Sequence, residues 1–114
     1  MKAYQSRSSI GAEAIDALGD PRRRQIFEML SSGPSSVVQI ANRLPVTRPA
    51  VSQHLRVLKD AGLVVSHTEG TRHIYRLDPR GIAGIRQYFD NLWQQALAGF
   101  KALAEQSYVP PDPT

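Results

Sequence analysis

The chain has 114 residues, with 14 Lys or Arg against 10 Asp or Glu, a formal net charge of +4 and no cysteine. The missing thiols exclude disulfides, thiolate metal sites and cysteine nucleophiles, and no apolar run approaches the roughly 18 residues of a membrane span. A chain this short forms one domain and leaves apolar surface for a second copy to cover, so a soluble, cytoplasmic homodimer is expected.

Residues 1–11, MKAYQSRSSIG, are polar and lack the apolar core of a signal peptide, and they are expected to form a loose arm. A helical pattern begins with Ala14, Ile15 and Leu18 and stops at Gly19. Asp20-Pro21 then marks a second start, an acidic N-cap followed by proline at the first helical position, where its missing N–H costs nothing. That helix buries Ile26, Phe27 and Leu30 and closes in SSGPSS. Its first turn carries Arg22, Arg23 and Arg24, cations that oppose the helix dipole. Asp20 and an Arg24–Glu28 pair at i+4 are the expected offset, with a phosphate contact as their second role. Ser36 caps a short third helix, VVQIANRL, with Val37, Ile40, Ala41 and Leu44 on one side, and Pro45 ends it. Thr47 caps a fourth helix, which runs to Asp60-Ala61 before Gly62 supplies a left-handed C-terminal residue.

After Gly62 the pattern changes. LVVSHTEGTRHIYRLD is rich in Val, Thr, Ile and Tyr and holds Glu69-Gly70-Thr71 at its middle, which predicts a two-stranded hairpin with a basic tip. Asp78-Pro79 opens a long last helix with Ile82, Ile85, Phe89, Leu92, Ala96, Phe100 and Leu103 at steps of three and four, widened by Trp93 and Leu97. This stripe holds more apolar surface than a small domain needs for internal packing. YVPPDPT is a proline-rich tail. The expected organisation is a single domain, mainly α with a small β-hairpin: an arm over 1–11, helices and hairpin over 12–78, a dimerisation helix over 79–106 and a tail over 107–114.

Between Arg43 and Arg80 lie seven basic residues (Arg43, Arg48, Arg56, Lys59, Arg72, Arg76, Arg80) and three acids (Asp60, Glu69, Asp78), so this segment holds the whole net excess. Basic side chains act on a polyanion through local density. Placed at 100° per residue, Val51, Leu55, Leu58 and Gly62 of the fourth helix fall together, flanked by Ala50, His54, Val57 and Ala61. Arg48, Pro49, Ser52, Gln53, Arg56, Lys59 and Asp60 occupy the other side. Arginines around short hydrogen-bonding groups suit a DNA major groove, where arginine reads guanine, glutamine reads adenine and serine serves bases or phosphates. A plain amphipathic surface helix has the same pattern. Its context is a tight Pro-Val-Thr turn before it and a hairpin after it that returns Arg72 and Arg76 beside the basic face. A helix-turn-helix with a basic β-ribbon is thereby the favoured reading.

ALGDPRRRQIFEML, the helix pair VVQIANRL and TRPAVSQHLRVLKDAGLV, the wing EGTRHIYRLDP and the terminal helix together resemble the ArsR family of winged helix-turn-helix repressors over nearly the whole chain. SQHLRVLKDAGLV followed by a Gly-Arg-aromatic wing is the most specific part. The resemblance implies a dimeric transcriptional regulator that binds double-stranded DNA at an inverted repeat and pairs through its first and last helices. The expected dimer residues are Ile15, Ile85, Phe89, Leu92, Trp93, Ala96, Phe100 and Leu103. Arg48, Ser52, Gln53 and Arg56 match the exposed positions of the family's recognition helix, Arg72 its wing arginine and Arg23 the arginine of its Asp-Pro-x-Arg start. Pro49 and Arg76 complete the DNA-facing set. His54 matches the family's histidine but lies at the edge of the apolar arc, so it reads as a packed residue within reach of a phosphate, with base reading as the alternative.

Many relatives sense metals through cysteines on the third helix or through Asp, His and Glu on the last, and this chain departs from both patterns. Its histidines, His54, His67 and His73, fall on the recognition helix and wing. His67 and His73 facing each other across the hairpin make a poor zinc site. A metal-independent regulator with no cofactor is therefore expected. An organic ligand held by Tyr88, Phe89, Trp93 and Phe100, and a protein-interaction module using the Trp93 surface, are the alternatives. Neither a serine elbow, a phosphate-cradling glycine loop nor a useful carboxylate pair points to an enzyme.

Overall fold

The computed structural model describes the backbone of residues 7–112 and the side chains of residues 11–112. Its elements run α1 (Arg7–Ala17), α2 (Pro21–Ser31), β1 (Ser35–Ser36), α3 (Val37–Arg43), α4 (Arg48–Asp60), β2 (Val64–Glu69), β3 (Arg72–Leu77) and α5 (Pro79–Ser107).

Four helix starts carry the side-chain caps that the sequence marks. Asp20 Oδ1 accepts the N–H groups of Arg22 and Arg23 at 2.8 and 3.0 Å. Ser36 Oγ accepts from Gln39 N at 3.2 Å while Gln39 Oε1 accepts from Ser36 N at 2.8 Å, a reciprocal capping box. Thr47 Oγ1 takes the N–H of Ala50 at 3.2 Å, and Asp78 Oδ1 that of Arg80 at 3.0 Å. Each satisfies a donor that a helix start leaves without an internal partner.

The caps set where the helices begin, and the apolar periods set how they pack. Ala14 and Ala17 of α1, Ile26 and Leu30 of α2, Ile40 of α3, Val51, Leu55 and Leu58 of α4, and Leu63 and Val64 at the start of β2 form one buried cluster. Leu18, Phe27, Val37, Ala41, Leu44, Tyr75, Leu77 and Ile85 pack around it. The buried face of α4 is the predicted one, so its other face is turned outward by the same packing that holds the helix.

Three departures from the sequence reading have tertiary causes. The helix expected to begin near Ala14 starts at Arg7, so residues 7–11 of the expected arm are helical; residues 1–6 lie outside the described residues. Its polar first turns are helical because α1 lies along α5: a Cβ on Gly11 would stand 2.6 Å from both the Gly84 carbonyl oxygen and Tyr88 Cβ. The hairpin is joined by a third strand. Ser35 and Ser36 pair antiparallel with Tyr75 and Ile74, giving the order β1-β3-β2. Two serines carry no strand signal of their own. Finally, α5 extends one residue past the expected end, to Ser107.

The β2–β3 hairpin turns at Gly70-Thr71, with Glu69 opposite Arg72 and Gly70 at φ +62°. A positive φ at the first of two turn residues suits a right-twisted hairpin and favours glycine there. In this register His67 stands opposite Ile74, and His73 opposite Thr68. Neighbouring pairs of an antiparallel ladder point to opposite sides, so the expected facing of His67 and His73 does not occur.

Candidate nucleic-acid interface

Arg48, Pro49, Ser52, Gln53 and Arg56 are all exposed on α4, while His54 is half-buried. Arg48, Ser52, Arg56 and Asp60 follow one another at four-residue steps and form one ridge of the helix. Val51, Leu55 and Leu58 beneath it are fully buried. Thr47 and Pro45 just ahead are exposed, so the helix presents its N-terminal end to the outside.

Bonding divides the arginines into two groups. Arg22 Nη1 donates to Gln25 Oε1 at 2.7 Å, Arg23 Nε to the Ala17 carbonyl at 2.7 Å and Arg24 Nη1 to the Leu18 carbonyl at 3.0 Å. The bonds of Arg23 and Arg24 tie the first turn of α2 to the end of α1. They also replace the expected Arg24–Glu28 pair, because carbonyls at a helix C-terminus are unpaired acceptors that favour a cation. Arg80 chelates Asp78 through Nε at 3.2 Å and Nη2 at 3.0 Å. By contrast Arg43, Arg48, Arg56 and Arg76 have no hydrogen bond or ion pair among the described residues. Four guanidinium groups without a hydrogen-bond partner among the described residues thus lie on the helix pair and the wing, that of Arg76 within range of the Asp78 charge.

The wing is attached to α4 by a bond that sequence reasoning missed. Lys59 Nζ donates to Ser66 Oγ at 3.2 Å. Lysine and serine seven positions apart carry no local signal; the turn at Gly62 creates their meeting. Ser66 pairs with Tyr75 and Val65 with Arg76. Strand alternation therefore sends Arg72 and Arg76 to the side opposite Ser66, Tyr75 and Leu77. Both arginines are exposed, as expected, but the ribbon meets α4 through Lys59 and Ser66 instead of through them. Arg72 Nη2 also donates to Ser36 Oγ at 3.3 Å, linking the wing to the start of α3.

His54 leans toward the protein. Asp20 is held below the ordinary carboxylate range first by the Arg23 backbone N–H, then by that of Arg22, against the upward push of burial. The charge of Arg23 acts in the same direction, and His54 is half-buried. His67 bonds Glu69 at 2.8 Å on the side of the wing that carries Arg72 and Arg76. No group of three or more potential metal ligands occurs among the described residues.

On α5 the predicted stripe divides. Ile85 packs against the core of its own chain and Ile15 is half-buried, whereas Phe89, Leu92, Trp93, Ala96, Phe100 and Leu103 are exposed. Trp93 is 63% exposed and Phe100 73%, large values for aromatic side chains. Among the described residues no helix is long and apolar enough to cross a membrane.

A family model described as "Bacterial regulatory protein, arsR family" matches residues 20–66, from the cap of α2 into β2. The HTH-type transcriptional regulator Rv2034 of Mycobacterium tuberculosis is 50% identical over 105 residues, 92% of this chain and 94% of the relative. The chain belongs to the arsR family of bacterial regulatory proteins. It is a DNA-binding transcriptional regulator and not an enzyme. The transcriptional repressor SdpR of Bacillus subtilis is 34% identical over 62 residues, covering 54% of this chain and 69% of the relative. Among solved structures, an ArsR-like transcriptional regulator from Rhodococcus superposes with a TM-score of 0.79 at 25% identity, covering 90% of this chain and 96% of that one. A homodimeric winged helix-turn-helix DNA-binding domain, Mb0332 of Mycobacterium bovis, gives 0.61 at 28% identity, covering 96% and 100%. Regulators of this family bind DNA and commonly form homodimers.

Proposed function

We propose that the protein is a dimeric repressor of its own or a neighbouring operon, which binds an inverted-repeat operator and acts without sensing a metal. The observation that carries this reading is the outward face of α4, where Arg48, Ser52, Gln53 and Arg56 stand exposed and unbonded on a rigidly buried helix. Such a face fits the major groove, with Pro49 at its entry, His54 at its inner edge and Arg72 and Arg76 of the wing reaching adjacent phosphates. The exposed apolar face of α5, from Phe89 through Trp93 to Leu103, supports pairing with a second copy. Two recognition helices related by a two-fold axis then meet half-sites about one helical turn apart. The metal-independent reading rests on the engaged state of His67 and the separation of His73 from it.

Titration of the dimer against DNA from upstream of its own gene tests the proposal, with random DNA of equal length as reference. Specific binding is expected to be at least about a thousandfold tighter than random binding at moderate salt. Equal affinity for the two sequences rules specific repression out, and release by a divalent metal at physiological concentration rules out the metal-independent form.

A further inference from the structure

The recognition face carries two free arginines on one ridge, Arg48 and Arg56, and they stand at different heights. At about 1.5 Å of rise per residue their Cα atoms are about 12 Å apart along the helix axis. A helix that enters a groove roughly 8.5 Å deep by one end cannot bring both to its floor. Which end of α4 enters the groove is decided by what holds the other end. Lys59 is bonded to Ser66, Leu63 N donates to the Leu58 carbonyl at 2.9 Å, and the Gly62 carbonyl lies against Gly81 of α5. Val57, Asp60 and Ala61 line a hollow with Glu13, Asp16 and Ala17 of α1 and Arg23 of α2. The C-terminal end of α4 is thus embedded in the body, and the exposed Thr47, Arg48 and Pro49 form the leading end.

Charge along the ridge gives the upper limit of the contact. After Arg48, Ser52 and Arg56 the next residue is Asp60, exposed at the rim of the hollow between α4 and α1 and without a hydrogen bond or ion pair among the described residues. A carboxylate there repels a phosphate, so the footprint of the DNA on this ridge ends at Arg56.

Resting on the DNA-binding reading above, we infer that Arg48 is the base-reading arginine of α4 and that Arg56 is a phosphate clamp. Arg48, at the leading end, reaches the floor of the groove and donates both terminal nitrogens to O6 and N7 of a guanine. Gln53, about one and a half turns on, meets an adenine edge nearby. Arg56, two turns behind Arg48, stands level with the groove rim, where the sugar-phosphate backbone runs. The half-site therefore requires a guanine opposite Arg48 and no particular base opposite Arg56.

Selection of binding sites from a random duplex library, with salt titrations on the selected site, tests the assignment in the full chain. Both side chains are exposed and unbonded, so Arg48→Lys and Arg56→Ala are expected to melt with the wild type. Arg48→Lys, which keeps the charge but loses the planar fork, is expected to relax preference at one guanine position about tenfold with an unchanged salt slope. Arg56→Ala is expected to select the wild-type motif, to weaken selected and random DNA by the same factor and to flatten the salt slope by about one; Arg56→Lys restores that slope. Relaxed base preference in Arg56→Ala overturns the assignment, as does unchanged affinity in that variant or unchanged preference in Arg48→Lys. Selection of no motif by the wild type instead overturns the sequence-specific reading beneath it.

Discussion

Gly81, in the first turn of α5, lies directly against the carbonyl group of Gly62, the residue that ends the recognition helix. A Cβ at Gly81 would stand 2.8 Å from the Gly62 carbonyl carbon and 3.0 Å from Leu63 Cα, closer still to the carbonyl oxygen, with backbone on every side. Gly62 itself has φ +79°, a conformation that L side chains rarely adopt. The neighbouring bond from Asp78 N to the Leu63 carbonyl, 2.9 Å, holds the same joint. Gly81→Ala is expected to force α5 off the C-cap of α4 and to cost about 1–3 kcal/mol or more, the range of overpacked cores. A denaturant midpoint equal to that of the wild type refutes the tight joint.

Gly11 has the corresponding position between α1 and α5. Its Cβ would meet both the Gly84 carbonyl and the Tyr88 side chain at 2.6 Å, so Gly11→Val is expected to separate the two helices. Circular dichroism should show loss of helix, because the polar turns of α1 have little to hold them away from α5. Full retention of helicity and melting temperature speaks against this packing.

Two caps differ in what depends on them. The Thr47 side chain bonds Ala50 N and no other group among the described residues, so Thr47→Ala is expected to cost about 1 kcal/mol of stability. Ser36 is buried, completes the capping box and also accepts from Arg72. Ser36→Ala should therefore cost about 2 kcal/mol, at the upper end for a cap, and loosen the wing. Amide hydrogen exchange checks the second part: faster exchange across Arg72–Leu77 is expected in Ser36→Ala and not in Thr47→Ala.

Acid should unfold the protein partly through its capping carboxylates. Asp78 is held below its ordinary value of 3.8 first by the side-chain hydrogen bond from Arg80, against the opposing effect of burial, and Asp20 is lowered by backbone N–H groups. A carboxylate whose folded pKa is depressed contributes stability that is full above the ordinary value and lost as pH falls through the folded one. Stability is thus expected to be level between neutrality and about pH 5 and to decline below about pH 4. Asp78→Asn keeps a capping oxygen but does not titrate, so its decline should be shallower. An identical acid limb in wild type and Asp78→Asn assigns the loss to other groups.

Pairing through α5 predicts a defined mass change. Trp93 and Phe100 are exposed in one chain and would each be buried twice in a symmetric dimer. Burying one large apolar side chain stabilises by about 1.5–3 kcal/mol, so Trp93→Ser with Phe100→Ser is expected to weaken association by at least a factor of about one hundred. Sedimentation at micromolar concentration should then find a monomer that keeps its fold. An unchanged dimer mass places the interface elsewhere.

Legibility in the sequence followed the range of the forces involved. Asp20, Ser36, Thr47 and Asp78 were readable as caps because each bonds an N–H two or three residues away. The buried arc Val51, Leu55 and Leu58 was readable because helical geometry alone puts those positions together. The Arg24–Glu28 pair was misread, since local spacing allowed it while the end of α1 offered a better acceptor. Residues 7 to 11 read as a loose arm in the sequence because their helix depends on α5, some seventy positions away.

The sequence by itself determined which segments are helices, where most of them begin, and which side of the fourth helix is polar; these depend on contacts within one or two turns. Tertiary structure decided which polar groups are free to act. Arg23 and Arg24 are as basic in the sequence as Arg43, Arg48 and Arg56, but folding brings the Ala17 and Leu18 carbonyls to the first two and no hydrogen-bond acceptor among the described residues to the other three. Tertiary packing also decided that the recognition helix is held at its C-terminal end, through Ser66, Leu63 and Gly81, leaving Arg48 at the end that leads. A charge is specified by residue type, whereas its availability depends on which distant acceptors the chain folds against it.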